Sequence, residues 1–209
     1  MNVQVLLLAK TPVPGRVKTR LCPPWTPEQA ASLAAAAIAD TADVLSATPA
    51  MARTLVVDGD LAAPRGWGRV PQRGAGLGPR LAAAYADTAR PGVATILVGM
   101  DTPQLRVGHL VAATAGLATA DAVLGPAEDG GWWLLGLRDP AAAEVLADVP
   151  MSAADTGERT RAALRDRGLA VSTTATLRDV DTAPDAFAAA RAAPGGRFAR
   201  ALLIAEGAR

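Results

Sequence analysis

Residues 3–20 read VQVLLLAKTPVPGRVKTR, a mainly apolar run over residues 3–9 followed directly by a loop with four cationic side chains. A short apolar run bounded by turn-forming residues predicts a buried strand. Pro12, Pro14 and Gly15 keep the next segment non-helical, because proline lacks a backbone N–H and glycine favours turns. We therefore predict that a buried strand opens the fold and leads into a basic loop, residues 10–20, at its carboxyl end.

The basic loop concentrates positive charge in a chain whose formal net charge is only +1. Lys10 and Lys18 are the only lysines in the sequence, and both lie in this loop together with Arg16 and Arg20, with no acidic residue before Glu28. A local positive field in a nearly neutral chain indicates a compact, multiply charged anion such as a phosphate. Lysine binds phosphate as a point charge, and arginine adds a planar fork for two oxygens. The alternative is a solvated loop that covers a sheet edge.

Composition excludes several classes of protein. The 209 residues are most simply one domain, residues 1–209, although two smaller lobes would also fit. Aromatic residues make up only 3%, which argues against a nucleic-acid binder that stacks bases on aromatic rings. A single cysteine, Cys22, excludes an internal disulfide. The apolar run 3–9 is too short for a signal sequence or a membrane span, so we predict a cytoplasmic protein with no nucleic-acid or membrane partner.

Strand and helix patterns alternate along the chain. Strands are predicted over residues 3–9, 54–57, 94–98, 122–124, 132–137 and 169–172. Helices are predicted from an N-cap at Thr26 to about residue 46, and over residues 77–88, 106–117, 140–147, 156–167, 184–193 and 195–205, with a loop through Gly66, Gly68 and Gly74. This alternation predicts an α/β fold, a single-domain three-layer α/β/α sandwich with a mainly parallel sheet. Ligands of such sheets bind beyond the carboxyl ends of the strands.

Carboxylates that could bind a metal ion lie at two distant places in the chain. Asp101 comes directly after the strand 94–98, and Asp179 and Asp181 lie two apart in a short extended segment, where side chains share a face. Mg²⁺ commonly takes one or two protein carboxylates and completes its shell with water and phosphate oxygens. Asp101 and Asp181 are therefore candidate ligands of Mg²⁺ or Mn²⁺, and the alternative is that these acids cap helices and form turns.

Two glycine-rich loops are further candidates for ligand contacts. The loop 72–80 contains Gln72, Gly74, Gly78 and Arg80, but it fits neither the dinucleotide fingerprint nor the P-loop pattern. Its small residues and Gln72 would let a nucleotide base lie against the backbone, or they form a flexible turn before a helix. The loop 125–133 places acids and glycines before a strand, an arrangement suited to hydrogen bonding an acceptor substrate, with one of its two tryptophans expected in the core.

Five stretches together resemble the transferases encoded beside radical-SAM and selenodomain proteins, often labelled arsenosugar-biosynthesis-type glycosyltransferases. The stretches are residues 9–21 (AKTPVPGRVKTRL), 77–81 (LGPRL), 99–105 (GMDTPQL), 125–131 (GPAEDGG) and 179–182 (DVDT). That group looks like a branch of the nucleotide-diphospho-sugar transferase (GT-A-like) fold, which 2-phospholactate guanylyltransferase and the molybdenum-cofactor guanylyltransferase also use. The chain departs from the group at residues 22–24 (CPP), where Ala-Pro is expected, and at residues 151–152 (MS), where Trp-Ser is usual.

The resemblance implies a role for each candidate residue. Lys18 and Arg20 would hold the nucleotide phosphates and act in catalysis, and Asp101 and Asp181 would bind Mg²⁺ or Mn²⁺. The remaining nucleotide-binding candidates are Lys10, Gly15, Arg16, Gln72, Gly74, Gly78 and Arg80. The acceptor-binding candidates are Asp129, Gly130 and Gly131.

Three functions stay open at the level of sequence. The charge of the basic loop favours nucleotidyl transfer from an NTP to a phosphorylated small molecule, since the departing pyrophosphate carries more charge than a glycosyl donor requires. The family label favours glycosyl transfer from an NDP-sugar. A nucleotide-binding protein without catalysis is the third reading, and a homodimer is compatible with all three.

Overall fold

The computed structural model describes residues 1–208. Its strands are β1 (Val3–Lys10), β2 (Ala52–Asp58), β3 (Gly68–Pro71), β4 (Ala94–Gly99), β5 (Ala122–Pro126), β6 (Trp132–Leu137) and β7 (Val171–Thr173). Its α-helices are α1 (Pro27–Ala47), α2 (Leu77–Thr88), α3 (Val107–Gly116), α4 (Thr156–Asp166), α5 (Ala183–Ala192) and α6 (Arg197–Gly207). Two 3-10 helices cover Thr19–Leu21 and Pro140–Ala147.

All seven strands form one sheet in the order β3-β2-β1-β4-β6-β5-β7. Strand β6 runs antiparallel to both of its neighbours, and the other pairings are parallel. The carboxyl ends of β1, β2, β4 and β5 therefore lie at the same edge of the sheet. The turn from β5 to β6 lies at that edge as well, because β6 runs back alongside β5.

Strand β1 is buried on both faces because its side chains alternate between two cores. Val5 and Leu7 pack in the cluster that contains residues of α1 and α3. Leu6 points the other way, into the cluster formed with α2, the 3-10 helix Pro140–Ala147 and α4. The apolar run that predicted a buried strand thus corresponds to a strand with helices on both sides.

The helices form the two outer layers of the predicted three-layer sandwich. Helices α1 and α3 cover one face, and α2, Pro140–Ala147 and α4 cover the other. Helix α6 packs on the outer side of α1, and α5 packs against α6. The three helices share a third cluster of buried residues, which contains Leu33, Ala186, Phe198 and Leu202. Within residues 1–208, α1 is the one helix long and apolar enough to cross a membrane, but half of its apolar stretch is buried between the sheet and α6.

The predicted start of α1 is confirmed. Gln29 donates its backbone N–H to Thr26 Oγ1 (3.2 Å), and the Thr26 N–H donates to Gln29 Oε1 (2.9 Å). This reciprocal capping box satisfies N–H groups that the first helical turn leaves free.

Two elements differ from the prediction. Residues 68–71 form the edge strand β3, although the sequence predicts a loop there. Glycine and proline are poor strand formers and therefore indicate a loop, but an edge position in a sheet tolerates both residues. Gly68 packs closely on β2, since a Cβ there would lie 3.2 Å from Thr54 Oγ1. The helix predicted over residues 140–147 is of the 3-10 type, which an alanine-rich pattern does not separate from an α-helix.

Candidate active site

A cleft of about 430 Å³ lies at the carboxyl edge of the sheet. The ends of β1, β2 and β4, the turn between β5 and β6, and the segment 179–181 contribute its walls. Seven of the predicted site residues line it: Lys10, Gln72, Arg80, Asp101, Asp129, Gly131 and Asp181. The other predicted site residues lie outside this lining: Gly15, Arg16, Lys18, Arg20, Gly74, Gly78 and Gly130.

The side chain of Lys18 brings together two acids from distant parts of the chain. Its Nζ lies 2.7 Å from Asp101 Oδ1 and 3.3 Å from Asp181 Oδ1, and it donates a hydrogen bond to the Val180 carbonyl. Only 8% of the Lys18 side chain is exposed. The two predicted metal ligands therefore converge on one cation at the edge of the cleft.

The backbone explains why these residues meet. The Val180 N–H donates to the Asp101 carbonyl (2.9 Å), which places the segment 179–181 directly against the end of β4. Lys18 has a φ of 48°, in the left-handed region that non-glycine residues rarely adopt, and it begins the 3-10 helix Thr19–Leu21. That turn directs its side chain inward, toward the acids. A left-handed lysine is a local strain that the surrounding ion pairs offset.

Charge keeps the buried lysine protonated. Burial alone would lower the pKa of the Lys18 ammonium, but the neighbouring carboxylates of Asp101 and Asp181 outweigh that effect and raise the pKa above 10.5. Arg20 joins the cluster from outside, with Nη1 3.2 Å from Asp181 Oδ2 and 76% of its side chain exposed.

The donor set fits a divalent metal ion. Asp101 Oδ1 is buried and accepts no hydrogen bond of ordinary geometry within residues 1–208. The cation next to it is the Lys18 ammonium. Two carboxylate oxygens that already converge on one cation suit Mg²⁺ or Mn²⁺, which accept one or two protein carboxylates. Across residues 1–208, no group of three or more metal-ligating side chains is assembled, so water or substrate oxygens would complete the shell.

Asp179 is a buried carboxyl beside this cluster. Burial raises its pKa to about 6, the hydrogen bond from Thr102 acts against that rise, and the negative charges of Asp101 and Asp129 add to it. Thr102 Oγ1 donates to Asp179 Oδ1 at 2.8 Å. Asp179 lines the cleft and lies close to both the metal candidates and the acceptor candidates.

The first part of the basic loop carries cations without partners. Lys10 and Arg16 are exposed, and neither side chain makes an ion pair or a hydrogen bond with another residue in the described part of the chain, 1–208. Gly15 has a φ of 73°, and a Cβ there would meet no atom within 4 Å. This stretch is open enough for an anion to approach its backbone and both of its cations.

The second predicted nucleotide loop divides into lining and packing residues. Gln72 lines the cleft, but its Nε2 donates to the Ala9 carbonyl (2.8 Å) and so fixes the end of β1. Arg80 also lines the cleft and pairs with Asp58 Oδ2 at 2.9 Å. Gly78 does not line it: a Cβ at Gly78 would lie 2.2 Å from the Leu146 carbonyl oxygen, so this glycine allows α2 to pack against Pro140–Ala147. Gly74 is also absent from the lining.

The predicted acceptor residues lie in a tightly packed turn, residues 127–131, which we call the acidic turn. Asp129 Oδ1 accepts from the Gly131 N–H (2.8 Å), and the Gly157 N–H donates to the Gly130 carbonyl (2.8 Å). Gly130 has a φ of 88°, and a Cβ there would lie 1.8 Å from the Ala154 carbonyl oxygen. Only glycine fits at this position, and Asp129 is held facing the cleft.

The matched family covers residues 31–153, more than half of the chain. The chain belongs to the family described as "Uncharacterized protein conserved in bacteria (DUF2064)". The family match includes Asp101 and the acidic turn, whereas the basic loop and the segment 179–181 lie outside it.

Solved structures share the fold of this DUF2064 protein. A "putative nucleotide-diphospho-sugar transferase" from Desulfovibrio desulfuricans G20 is 28% identical with a TM-score of 0.78, and the match covers 87% of this chain and 84% of that one. Rv0371c from Mycobacterium tuberculosis H37Rv, in complex with manganese, is 21% identical with a TM-score of 0.58, covering 90% and 97%. The 2-C-methyl-D-erythritol 4-phosphate cytidylyltransferase from Thermus thermophilus is 15% identical with a TM-score of 0.58, covering 92% and 99%.

These similarities confirm the predicted nucleotide-diphospho-sugar transferase fold. The association with radical-SAM proteins and the relation to 2-phospholactate guanylyltransferase stay predictions. No curated protein matches the sequence.

Sequence reasoning missed several residues that line the cleft of the DUF2064 protein. They are Asp58, Thr102, Trp132, Met151, Ser152 and Thr156. Asp58 could have been found, because it directly follows the apolar run of β2 and so emerges at the carboxyl edge of the sheet. Thr102 is adjacent to a candidate ligand but has no distinguishing pattern of its own.

Proposed function

We propose that this protein is a metal-dependent nucleotidyltransferase, in which an acceptor attacks the α-phosphorus of an NTP and pyrophosphate leaves. One observation carries this proposal: Asp101 and Asp181 converge on a single cation position at the cleft, beside a loop with two unpaired cations. That combination of metal-suited oxygens and free positive charge matches a polyphosphate substrate.

The cations of the basic loop have separable tasks in this proposal. Lys10 and Arg16 are exposed and unpaired among residues 1–208, so they would bind the phosphates of the incoming nucleotide. Lys18 and Arg20 lie at the carboxylates, where they would stabilise the charge that develops on the departing pyrophosphate. Gln72 and Arg80 line the wall that would face the nucleotide base or ribose.

Asp101 and Asp181 would hold Mg²⁺ or Mn²⁺. A bound divalent ion neutralises phosphate oxygens and orients the reacting groups. The carboxylates hold their positions through the pairing of residue 180 with residue 101, which does not depend on any ligand.

The acidic turn would bind the acceptor, as the family resemblance implies. Asp129 is oriented toward the cleft by the Gly131 N–H, and Asp179 lies nearby as a second carboxyl. Because Asp129 is acidic and Asp179 is a second carboxyl beside it, the phosphate of a phosphorylated acceptor would lie away from the acidic turn. Hydroxyl groups of the acceptor suit the acidic turn.

Glycosyl transfer from an NDP-sugar is the second candidate. The solved structure from Desulfovibrio desulfuricans G20, described as a "putative nucleotide-diphospho-sugar transferase", has the highest TM-score of the three reported and supports it. Both reactions require the same metal and phosphate contacts, and they differ in the leaving group.

A product assay separates the candidates. The protein is incubated with CTP, GTP, UDP-glucose or GDP-mannose and a panel of acceptors, with Mg²⁺, with Mn²⁺ and with EDTA. Release of pyrophosphate supports nucleotidyl transfer, and release of a nucleoside diphosphate supports glycosyl transfer.

Variants connect that assay to the proposed site. Asp101→Asn should lower turnover by about 100-fold or more, because a metal-ligand carboxylate is lost. Asp60→Asn is the matched control, since Asp60 is fully exposed and makes only a 3.6 Å ion pair with Arg69. Nucleotide binding that is indifferent to metal and to Asp101→Asn would favour a non-catalytic binding protein.

A further inference from the structure

Lys18 lies where a metal ion would have to bind. Its ammonium is 2.7 Å from Asp101 Oδ1 and 3.3 Å from Asp181 Oδ1. A Mg²⁺ ion held by the same two oxygens would lie about 2.1 Å from each. An ammonium and a divalent ion cannot share that position, because the two cations would overlap and repel each other.

We infer that the Lys18 ammonium and a divalent metal ion bind the Asp101–Asp181 pair alternately, so that the metal ion enters only as the lysine side chain leaves. This inference rests on the proposed function for its metal ion. It adds a competing cation, built into the chain, that sets how tightly the metal binds.

The position of the acids fits an exchange site. The side chains of Asp101 and Asp181 both line the cleft, and they are 38% and 41% exposed. Asp101 Oδ1 itself is buried, with the Lys18 ammonium 2.7 Å away, so an ion from the cleft can bind this oxygen only as the ammonium moves off it. Lys18 itself is almost fully covered. Its ammonium lies on a flexible four-carbon stem, which can swing away while the backbone of the loop stays in place.

Exchange would change the charge of the site. Lys18 and Arg20 balance Asp101 and Asp181, so the cluster is neutral when the lysine is in place. Entry of a divalent ion makes the cluster positive, while the displaced ammonium stays tethered beside it. The site therefore attracts a polyphosphate more strongly after the metal ion has bound, which couples the two binding events.

The two lysines of the chain provide a matched pair of variants. Lys18→Met removes the competing cation, and Lys10→Met removes the same charge from a cleft residue that pairs with no acid within residues 1–208. Mn²⁺ binding to each protein is measured without nucleotide, from the loss of the free-ion signal in electron paramagnetic resonance. Lys18→Met should bind Mn²⁺ at least about tenfold more tightly than wild type, and Lys10→Met should differ by less than about threefold.

Equal or weaker Mn²⁺ binding by a folded Lys18→Met variant would overturn the inference. Adding Asp181→Asn to Lys18→Met should abolish the gain in Mn²⁺ affinity. A gain that persists in the double variant would also contradict the inference, since the ion would then bind elsewhere.

A second measurement uses wild-type protein and does not depend on the folding of a variant. With carbon-13 at the lysine ε positions, the chain should show two signals, one for Lys10 and one for Lys18. Saturation with Mg²⁺ should move the Lys18 signal toward that of a solvated lysine, with the Lys10 signal nearly unchanged. A Lys18 signal that stays in place while the ion binds would overturn the inference.

The outcomes separate this inference from the proposed function, because neither measurement requires turnover. Exchange without any transferase activity would leave the inference standing and remove the proposed function. Pyrophosphate release by wild type, together with an unchanged Mn²⁺ affinity in Lys18→Met, would support the proposed function and overturn this inference.

Discussion

The two sides of the cleft are built in opposite ways. On the side of the basic loop, the first part of that loop is open: Lys10 and Arg16 are exposed, and a side chain at Gly15 would meet nothing. On the side of the acidic turn, the chain is closely packed, and Gly130 has no room for a Cβ beside the Ala154 carbonyl. The open side can adjust to a charged ligand, whereas the packed side has its shape set before any ligand arrives.

This contrast suggests a division between charge and shape. Phosphate can be bound by mobile point charges, because Coulomb attraction depends weakly on orientation. Hydrogen bonds to an acceptor require fixed donors and acceptors, since they weaken steeply away from linear geometry. Substitutions on the two sides should therefore differ in what they change: stability on the packed side, and substrate affinity on the open side.

The largest expected effect is on the packed side. Gly130→Ala should lower the free energy of unfolding by about 3 kcal/mol or more, because the new Cβ would clash with backbone and the φ of 88° disfavours alanine. Gly15→Ala is the matched control and should cost about 1 kcal/mol, since only its positive φ opposes the change. Urea denaturation measures both. Similar losses in the two variants would break the contrast.

Asp179 lies between the two sides and should give stability a pH dependence. Its folded pKa of about 6 exceeds the ordinary 3.8, so the protonated form is favoured by folding. The native protein therefore loses stability through this group as pH rises from about 4 to about 6, by an amount on the order of 2 to 3 kcal/mol.

Asp179→Asn removes that titration while keeping an oxygen for the Thr102 hydroxyl. In metal-free buffer, the variant should be more stable than wild type at pH 8, and the advantage should shrink toward pH 4. Thermal unfolding at several pH values measures the difference. A difference that does not change with pH would show that Asp179 keeps its ordinary pKa.

Lys18→Ala should lower turnover by about tenfold or more, because one charge-assisted contact to the developing phosphate charge is lost. Metal affinity should rise in the same variant, whereas turnover should fall. Pyrophosphate release at saturating metal separates the two effects. Unchanged turnover would leave Lys18 as a structural cation of the carboxylate pair.

The smallest expected effect is on the open side. Arg16→Ala should raise KM for the nucleotide about three- to fivefold with little change in kcat, because an exposed cation adds attraction to bound substrate and transition state alike. Added salt should reduce the difference from wild type. Arg191→Ala, at an exposed arginine on α5, is the control and should change neither value. A fall in kcat would place Arg16 in the chemical step.

Much of the fold could be predicted because the local signals agree with the tertiary structure. The apolar run of β1, the capping box at Thr26 and the alternation of elements each have a direct physical cause. Strand β3 was not predicted, because its glycine and proline indicate a loop. Its pairing with β2 makes it a strand. The antiparallel direction of β6 follows from the short turn that precedes it, which leaves no length for a crossover.

The candidate site was predictable in part for a similar reason. Asp101 could be identified because it follows β4 at the carboxyl edge of the sheet. Asp181 could be paired with it because Mg²⁺ commonly takes one or two protein carboxylates. The engagement of Lys18 by both acids depends on a left-handed backbone at that lysine, for which the sequence has no signal. The packing role of Gly78 could not be predicted from the sequence either, since it depends on the carbonyl of Leu146, which is distant in the chain.

The reversal of β6 has a consequence for how this fold can diversify. A direct hairpin joins β5 to β6 at the carboxyl edge, whereas parallel neighbours require a longer crossover that carries the chain back along the sheet. Residues inserted into that hairpin would extend toward solvent without shifting a strand or a covering helix. Lengthening this one connection would therefore reshape one wall of the cleft while the basic loop and the ends of β1, β2 and β4 stay as they are.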